Sequence, residues 1–176
     1  MPAPERTSLE QIVAAGREIL EAEGPSRLTM QAVAAKVGVR APSLYKRVRD
    51  RDALLGLVAA ATADELGERL AAAEGTVAGL ARACRAFAHE RPEGFRLILS
   101  TGADPDSLAR ASAPVLRTAA DLVGEADALE AARLVTAWAT GFLTMELAGA
   151  FRLGGDLDEA FEYGLTRLAA ALTPAG

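Results

Sequence analysis

What this chain has little of narrows it quickly. It carries one cysteine, Cys84, and one histidine, His89, in 176 residues. A single thiol excludes an internal disulfide and a cysteine-based zinc site. The two residues are five apart, on different faces of a helix, which leaves no nucleophile beside a base and no metal-binding spacing. Glycine-rich phosphate loops are also missing. Without an apolar run near the roughly 20 residues of a bilayer span, the chain offers no membrane segment. The opening MPAPERTSLEQ lacks the basic-then-apolar order of a signal peptide. With five Phe, two Tyr and one Trp, and no long alternating β-branched run, it offers no strand. These absences predict a reduced, cytoplasmic, all-α protein with no metal, no cofactor, no catalytic centre and no membrane partner.

What is present is helical. Ala, Leu, Arg and Glu dominate, all good helix formers. A hydrophobic fraction of 51% against 24% charged residues is that of a globular chain. The net charge is −5, yet Arg27, Lys36, Arg40, Lys46, Arg47 and Arg49 fall between Pro25 and Arg49 with no acid among them. A compact basic helical pair in an acidic protein is what a helix-turn-helix needs to sit on DNA phosphates.

About nine helices are expected. Thr7 and Glu10 have capping-box spacing at the start of the first, whose inner face holds Leu9, Ile12, Val13, Ile19 and Leu20. Gly24-Pro25 ends it. Thr29 caps the second, with Leu28 and Val33 placed as a hydrophobic staple, and Gly38 closes it in the left-handed conformation. The third begins near Ala41-Pro42, where a proline loses no hydrogen bond. Leu44 and Val48 point inward there, leaving Ser43, Tyr45, Lys46 and Arg47 largely outside. Asp50 caps a long fourth helix reaching about Gly75. Farther on come a stripe at Val77, Leu80, Ala81, Cys84, Phe87 and Ala88, a short element at Glu93–Ser100, and a loop at Thr101–Asp104. Pro105–Val123 should be kinked or split at Pro114. A long helix at Ala126–Phe151 and a last one with a seam at Leu157, Phe161, Leu165, Leu168 and Leu172 complete the chain.

Residues 7–55 resemble the DNA-binding domain of the tetracycline-repressor (TetR) family of bacterial regulators. The resemblance is carried by Thr29 opening the second helix, Gly38-Val39 in the turn, Pro42-Ser43-Leu44-Tyr45 in the third helix, and Val48 with the run into Ala53-Leu54-Leu55. Thr136–Phe151, TAWATGFLTMELAGAF, is similar to a TetR-like C-terminal domain named for a Trp-His-Gly signature: Trp138 and Gly141 match, and Thr140 stands at the histidine position. Phe87–Pro92 resembles the same domain. The resemblance implies a flexible tail at 1–6, a DNA-binding domain at 7–55 and a ligand-binding, dimerising domain at 56–176.

It also implies a surface for a double-stranded DNA operator made of Thr29, Gln31, Arg40, Ala41, Pro42, Ser43, Tyr45, Lys46 and Arg51. Tyr45 lies about 100° round the helix from Leu44, so its hydroxyl can meet a phosphate or base edge. The Thr29 hydroxyl and the first amides of its helix make an anion site. Gln31 either pairs with adenine or is one more exposed amide. Arg40, a poor cap, grips a phosphate or reads a guanine. Arg51 stands where the family has a phosphate-binding residue, but could pair with Asp50 or Asp52. Lys36 reads as plain solvated charge. In the C-terminal half, Trp138, Phe142 and Met145 share a helix side that is either core or pocket lining; with Phe95 and Leu99 they are the candidate site for a small apolar effector. The last two long helices are expected to join a homodimer. The expected function is a ligand-responsive DNA-binding regulator, a repressor on a near-palindromic operator. The alternative is a helical binding or dimerisation module without DNA function.

Overall fold

The computed structural model describes residues 7–102 and 104–173; the tail expected at 1–6 lies outside them. Among the described residues all regular structure is helical. The α-helices are α1 Leu9–Glu23, α2 Met30–Lys36, α3 Ala41–Leu44, α4 Arg51–Ala72, α5 Val77–Glu90, α6 Pro92–Leu97, α7 Pro105–Val123, α8 Ala128–Leu147 and α9 Leu157–Leu172. The chain divides into two compact units, Met1–Ala63 with Arg91–Leu108, and Asp64–Glu90 with Ala109–Gly176.

In the first unit, α1 starts one residue later than its expected box. Ser8, not Thr7, is the cap: its hydroxyl accepts from Gln11 N–H at 3.1 Å, and the Gln11 side chain accepts from Ser8 N–H at 2.9 Å. Glutamine serves as well as glutamate in the reciprocal role, so the shift costs nothing. Ile12, Ile19 and Leu20 are buried while Leu9 is exposed, as befits the first residue of a helix facing outward. Helices α1 and α2 pack together, as do α2 and α3. Thr29 caps α2 by accepting from Ala32 N–H at 3.1 Å. Its flanking Leu28 and Val33 are both fully buried. Gly38 has φ 73° after the end of α2, a conformation that other L-residues adopt only with strain. Asp50 caps α4 through Ala53 N–H at 2.8 Å, as its position predicts.

Helix α6 belongs to this unit because α1 holds it. The Glu21 carboxylate accepts from Gly94 N–H at 2.8 Å and Glu93 N–H at 3.2 Å, supplying a negative charge where the first amides of α6 are unpaired. A Cβ on Gly94 would stand 2.8 Å from that carboxylate and 2.9 Å from Thr62 Cγ2, so the approach requires glycine. Past α6 the chain continues as a π-helical turn, Ile98–Gly102, where a short helix running into a loop was expected. Ala103, within the expected loop, lies outside the described residues.

In the second unit, α5 packs on α8 and α9. Val77, Leu80, Ala81, Phe87 and Ala88 are its buried stripe. Helix α7 runs unbroken through Pro114, so the expected split does not occur. Ala111, Pro114, Thr118 and Ala119 form one buried face spanning the proline, and that packing offsets the one backbone bond a proline removes. Helix α8 is shorter than expected at both ends. Gly124 at φ 85° precedes it and Gly149 at φ 60° follows it, so Phe151 falls in the loop before α9. Asp156 caps α9 by accepting from Asp158 N–H at 2.7 Å and Glu159 N–H at 3.2 Å.

Candidate functional site

The helix-turn-helix presents a clean division between inward and outward side chains. Leu44 and Val48 are 1% and 2% exposed, whereas Tyr45 is 54% exposed. Helix α3 is a single regular turn, prolonged when Leu44 C=O accepts from Arg47 N–H at 2.8 Å and Val48 N–H at 2.9 Å. Pro42 sits in its first turn, and Arg40 occupies the cap position with no side-chain capping bond. Ser43, Lys46, Arg47 and Gln31 are exposed, and Ala41 and Thr29 half-buried.

Carboxylates sort the six cations of this segment into two sets. Lys36 Nζ lies 2.8 Å from Glu18, Arg27 Nε 3.4 Å from Glu23, and Arg49 Nε 2.6 Å from Asp50. Lys36 is therefore a tie between α2 and α1 rather than a plain solvated charge. Bonding to Lys36 holds the Glu18 carboxyl below its ordinary range. Asp50 is held low by the Ala53 amide first and by Arg49 second. Arg40, Lys46 and Arg47 have no carboxylate within reach among the described residues. The uncompensated charge is thus concentrated on and beside α3. Arg47 is not among the residues expected on the DNA surface, although its place in the acid-free run is a signal for it.

Arg51 pairs with neither Asp50 nor Asp52. Its Nε donates to Leu28 C=O at 2.8 Å and its Nη2 to Pro25 C=O at 2.5 Å. The Asp50 carboxylate is bonded by Arg49 and the Ala53 amide instead.

The five candidate effector residues divide between the two units. Phe95, buried, and Leu99, exposed, belong to the first unit; Trp138, Phe142 and Met145 belong to the second. Trp138 packs in an aromatic cluster, its ring 5.2 Å from Phe161 and 6.0 Å from Phe142, which in turn stacks 4.9 Å from Phe151. Met145 is exposed on the same helix. Trp138 and Phe142 are therefore packed aromatic side chains that tie α8 to α9. Thr140 turns its hydroxyl back on its own helix, donating to Thr136 C=O at 2.7 Å. An apolar void in this unit lies among Val77, Leu80, Val115, Ala119, Val135 and Leu172, and at about 10 Å³ holds no more than a water.

A charged network with no counterpart in the sequence reading faces the same aromatic cluster. Arg85 grips Glu146 through Nη2 at 2.5 Å and Nε at 3.1 Å, and reaches Asp158 at 2.7 Å. Its guanidinium lies 4.8 Å above the Phe161 ring, and His89 Nε2 is 3.2 Å from Glu146. Burial alone would push Glu146 up, but bonds from Arg85 and His89 outweigh it and hold the carboxyl below its ordinary range. Arg82 pairs with Glu162 at 2.6 Å and 2.8 Å. Arg82, Arg85 and His89 share one face of α5 at i, i+3 and i+7, which is a readable signal; their acidic partners are far along the chain and are not. Cys84, half-buried, has its thiol pushed up to about 11 by burial, which keeps it protonated and unreactive.

Two of the five seam residues expected to face a partner subunit are turned inward, while Leu157, Leu168 and Leu172 are half-buried. Phe161 and Leu165 are 0% and 2% exposed within one chain, because α9 spends this face on α5 and α8. What α8 and α9 leave outside is another set: Leu134, Ala137, Gly141 and Met145 on α8, and Ala160, Tyr163, Arg167 and Ala170 on α9. No helix among the described residues is long and apolar enough to cross a membrane.

Comparison with known proteins agrees with this arrangement. Residues 12–58 match bacterial regulatory proteins of the tetR family, and residues 77–168 match the tetracyclin repressor-like C-terminal domain. An uncharacterized HTH-type transcriptional regulator of Mycobacterium tuberculosis is 31% identical, over 96% of this chain and 83% of that protein. Crystalline BioQ of Mycobacterium smegmatis superposes with a TM-score of 0.67 at 26% identity, covering 97% of this chain and 99% of that one. A TetR variant of Acinetobacter baumannii, in complex with minocycline, superposes at 0.70 over 94% and 96% with 22% identity, a likeness of fold. With its helix-turn-helix and its C-terminal helices both matched, the chain belongs to the TetR family of bacterial transcriptional regulators.

Proposed function

We propose that this protein is a cytoplasmic repressor, not an enzyme, that binds a near-palindromic operator as a homodimer and is released by a small apolar effector. The observation that carries the reading is the set of cations without carboxylate partners, Arg40, Lys46 and Arg47, grouped around an outward Tyr45 on a rigidly backed helix. Residues 7–55 form the DNA-binding domain in this reading, and 56–176 serve the effector and the partner subunit. Thr29, with the first amides of α2, meets a phosphate; Ala41, Pro42 and Ser43 let α3 approach the groove closely; Gln31, Arg40, Tyr45 and Lys46 contact phosphates or base edges. The outward faces of α8 and α9, small or apolar along Leu134, Ala137, Gly141, Ala160 and Tyr163, pair with their copies in a second chain. Such an isologous four-helix contact spaces two α3 helices for successive major grooves, about 34–36 Å apart.

The effector belongs in the apolar interior between α5, α7 and α8. That interior holds about 10 Å³ of empty space, so an effector seated there enlarges it. A same-fold protein crystallised with minocycline is a precedent for a ligand in this architecture. The test is selection of duplexes from a random-sequence pool, followed by binding across a salt series. A selected near-palindrome, bound by a dimer with steep salt dependence that flattens in Lys46→Ala, is the expected result. Selection of no sequence, or a slope that Lys46→Ala leaves unchanged, would remove the phosphate surface on which the reading rests.

A further inference from the structure

We propose that Arg51 is a positioning residue for DNA recognition, acting as a clamp that closes the α1–α2 loop and sets the entrance of α2. The inference rests on the DNA-binding reading. Arg51 is the first residue of α4, and its guanidinium spans two carbonyls, Leu28 at 2.8 Å and Pro25 at 2.5 Å, from residues 23 and 26 positions earlier. The fixed fork of arginine can serve two acceptors at once; an ammonium group is a compact point charge on a flexible stem.

Three further observations point the same way. A cation in the first turn of a helix is disfavoured by the helix dipole, so some other interaction must account for it. The neighbouring carboxylate does not, since Asp50 is bound by Arg49 and by the Ala53 amide. Finally, the loop that Arg51 closes is exposed from Pro25 to Arg27, held internally by Arg27 N–H on Gly24 C=O at 3.2 Å. Leu28 C=O is the last carbonyl before Thr29, whose hydroxyl caps α2. Wherever Leu28 goes, the Thr29 hydroxyl and the first amides of α2 follow. A contact on the first turn of α4 therefore decides whether a helix more than twenty residues earlier presents its N-terminus to a phosphate.

The test compares wild type, Arg51→Ala, Arg51→Lys and Lys46→Ala on a duplex that the wild type selects from a random-sequence pool. Affinity is measured across a salt series, at a temperature where melting curves show each variant folded. Arg51→Ala should bind about tenfold more weakly, the scale of one lost charged hydrogen bond. Its line of log affinity against log salt should run parallel to wild type. Arg51→Lys should share most of that deficit, because it keeps the charge without the fork, and it keeps the test open if the alanine variant does not fold. Hydrogen exchange at Ala32 and Val33 should quicken in both.

A phosphate ligand would behave otherwise. Its loss would flatten the slope by about 0.9 for each contact removed, and lysine would restore binding; that pair of results overturns the proposal. So does an Arg51→Ala protein that binds like wild type. A wild type that binds no DNA sinks the DNA reading and the proposal together, whereas a flattened slope in Lys46→Ala beside wild-type behaviour in Arg51→Ala sinks the proposal alone.

Discussion

Gly164→Ala asks most directly whether α8 and α9 are locked by the aromatic cluster. A Cβ built on Gly164 would stand 2.6 Å from Trp138 Cζ2, 3.1 Å from Cε2 and 3.2 Å from Nε1. The indole cannot easily retreat, because Phe161 and Phe142 back it at 5.2 and 6.0 Å. Overpacking of this kind costs about 1–3 kcal/mol, while replacing a mid-helix glycine by alanine returns up to about 1 kcal/mol. With three ring atoms in the way the clash should win, leaving a net loss of about 1–2 kcal/mol. In a chain of this size that lowers Tm by about 2–8 °C. Gly56→Ala on α4 is the matched control: its Cβ would meet nothing within 4 Å. It should therefore gain about 1 kcal/mol and raise Tm by about 2–4 °C. Both melts are followed at one fixed protomer concentration, since dimerisation would make Tm concentration-dependent. Trp138 is the only tryptophan, so its emission reports the cluster without interference. Gly164→Ala melting at or above wild type, with unchanged emission, would refute the close packing of Trp138 on α9.

Tyr45→Ala should abolish selected-duplex binding with little change in Tm, since the side chain is exposed. Leu44→Ala, one residue away and buried, should lose about 2–5 kcal/mol; equal melting of the two variants would undo the inward–outward division of α3. Leu165→Glu should unfold the C-terminal helices rather than release folded monomers, because Leu165 is core within one chain and a charge there has no partner. A well-folded monomer by sedimentation and circular dichroism would return that seam to the subunit interface. Glu146 titrates below its ordinary range in the folded protein. Its contribution to stability is therefore fully present above the unfolded carboxylate pKa and is lost as pH falls through the folded one. Glu146→Gln should flatten the acid side of a Tm–pH profile, and an unaltered acid limb would mean the Arg85–His89–Glu146 network adds no net stability.

The local features are legible because they depend on neighbours in the chain. Apolar spacing alone places Leu44 and Val48 inside and Tyr45 outside, since 3.6-residue periodicity needs no tertiary partner to be read. Caps at Thr29 and Asp50 and the left-handed Gly38 follow from the chemistry of three or four consecutive residues. Even the first cap differs from its expected place by a single position, between two adjacent hydroxyl residues that both have a helix-compatible partner three further on.

Pairings across long stretches of chain were decided elsewhere. Nothing in the local sequence shows that the Arg51 guanidinium meets carbonyls 23 and 26 residues away. Nor can periodicity say which neighbour receives an apolar face: it puts Phe161 and Leu165 in a buried seam, but their partners lie in the same chain. Charge shows the same division, since composition located the acid-free run while the fold chose which cations remain unpaired within it. Amphipathic pattern and capping chemistry thus determined that this chain is a set of helices with a basic helix-turn-helix at its start. Only the tertiary structure decided what each face and each charge meets, because burial and ion pairing are properties of two surfaces and the sequence displays them one at a time.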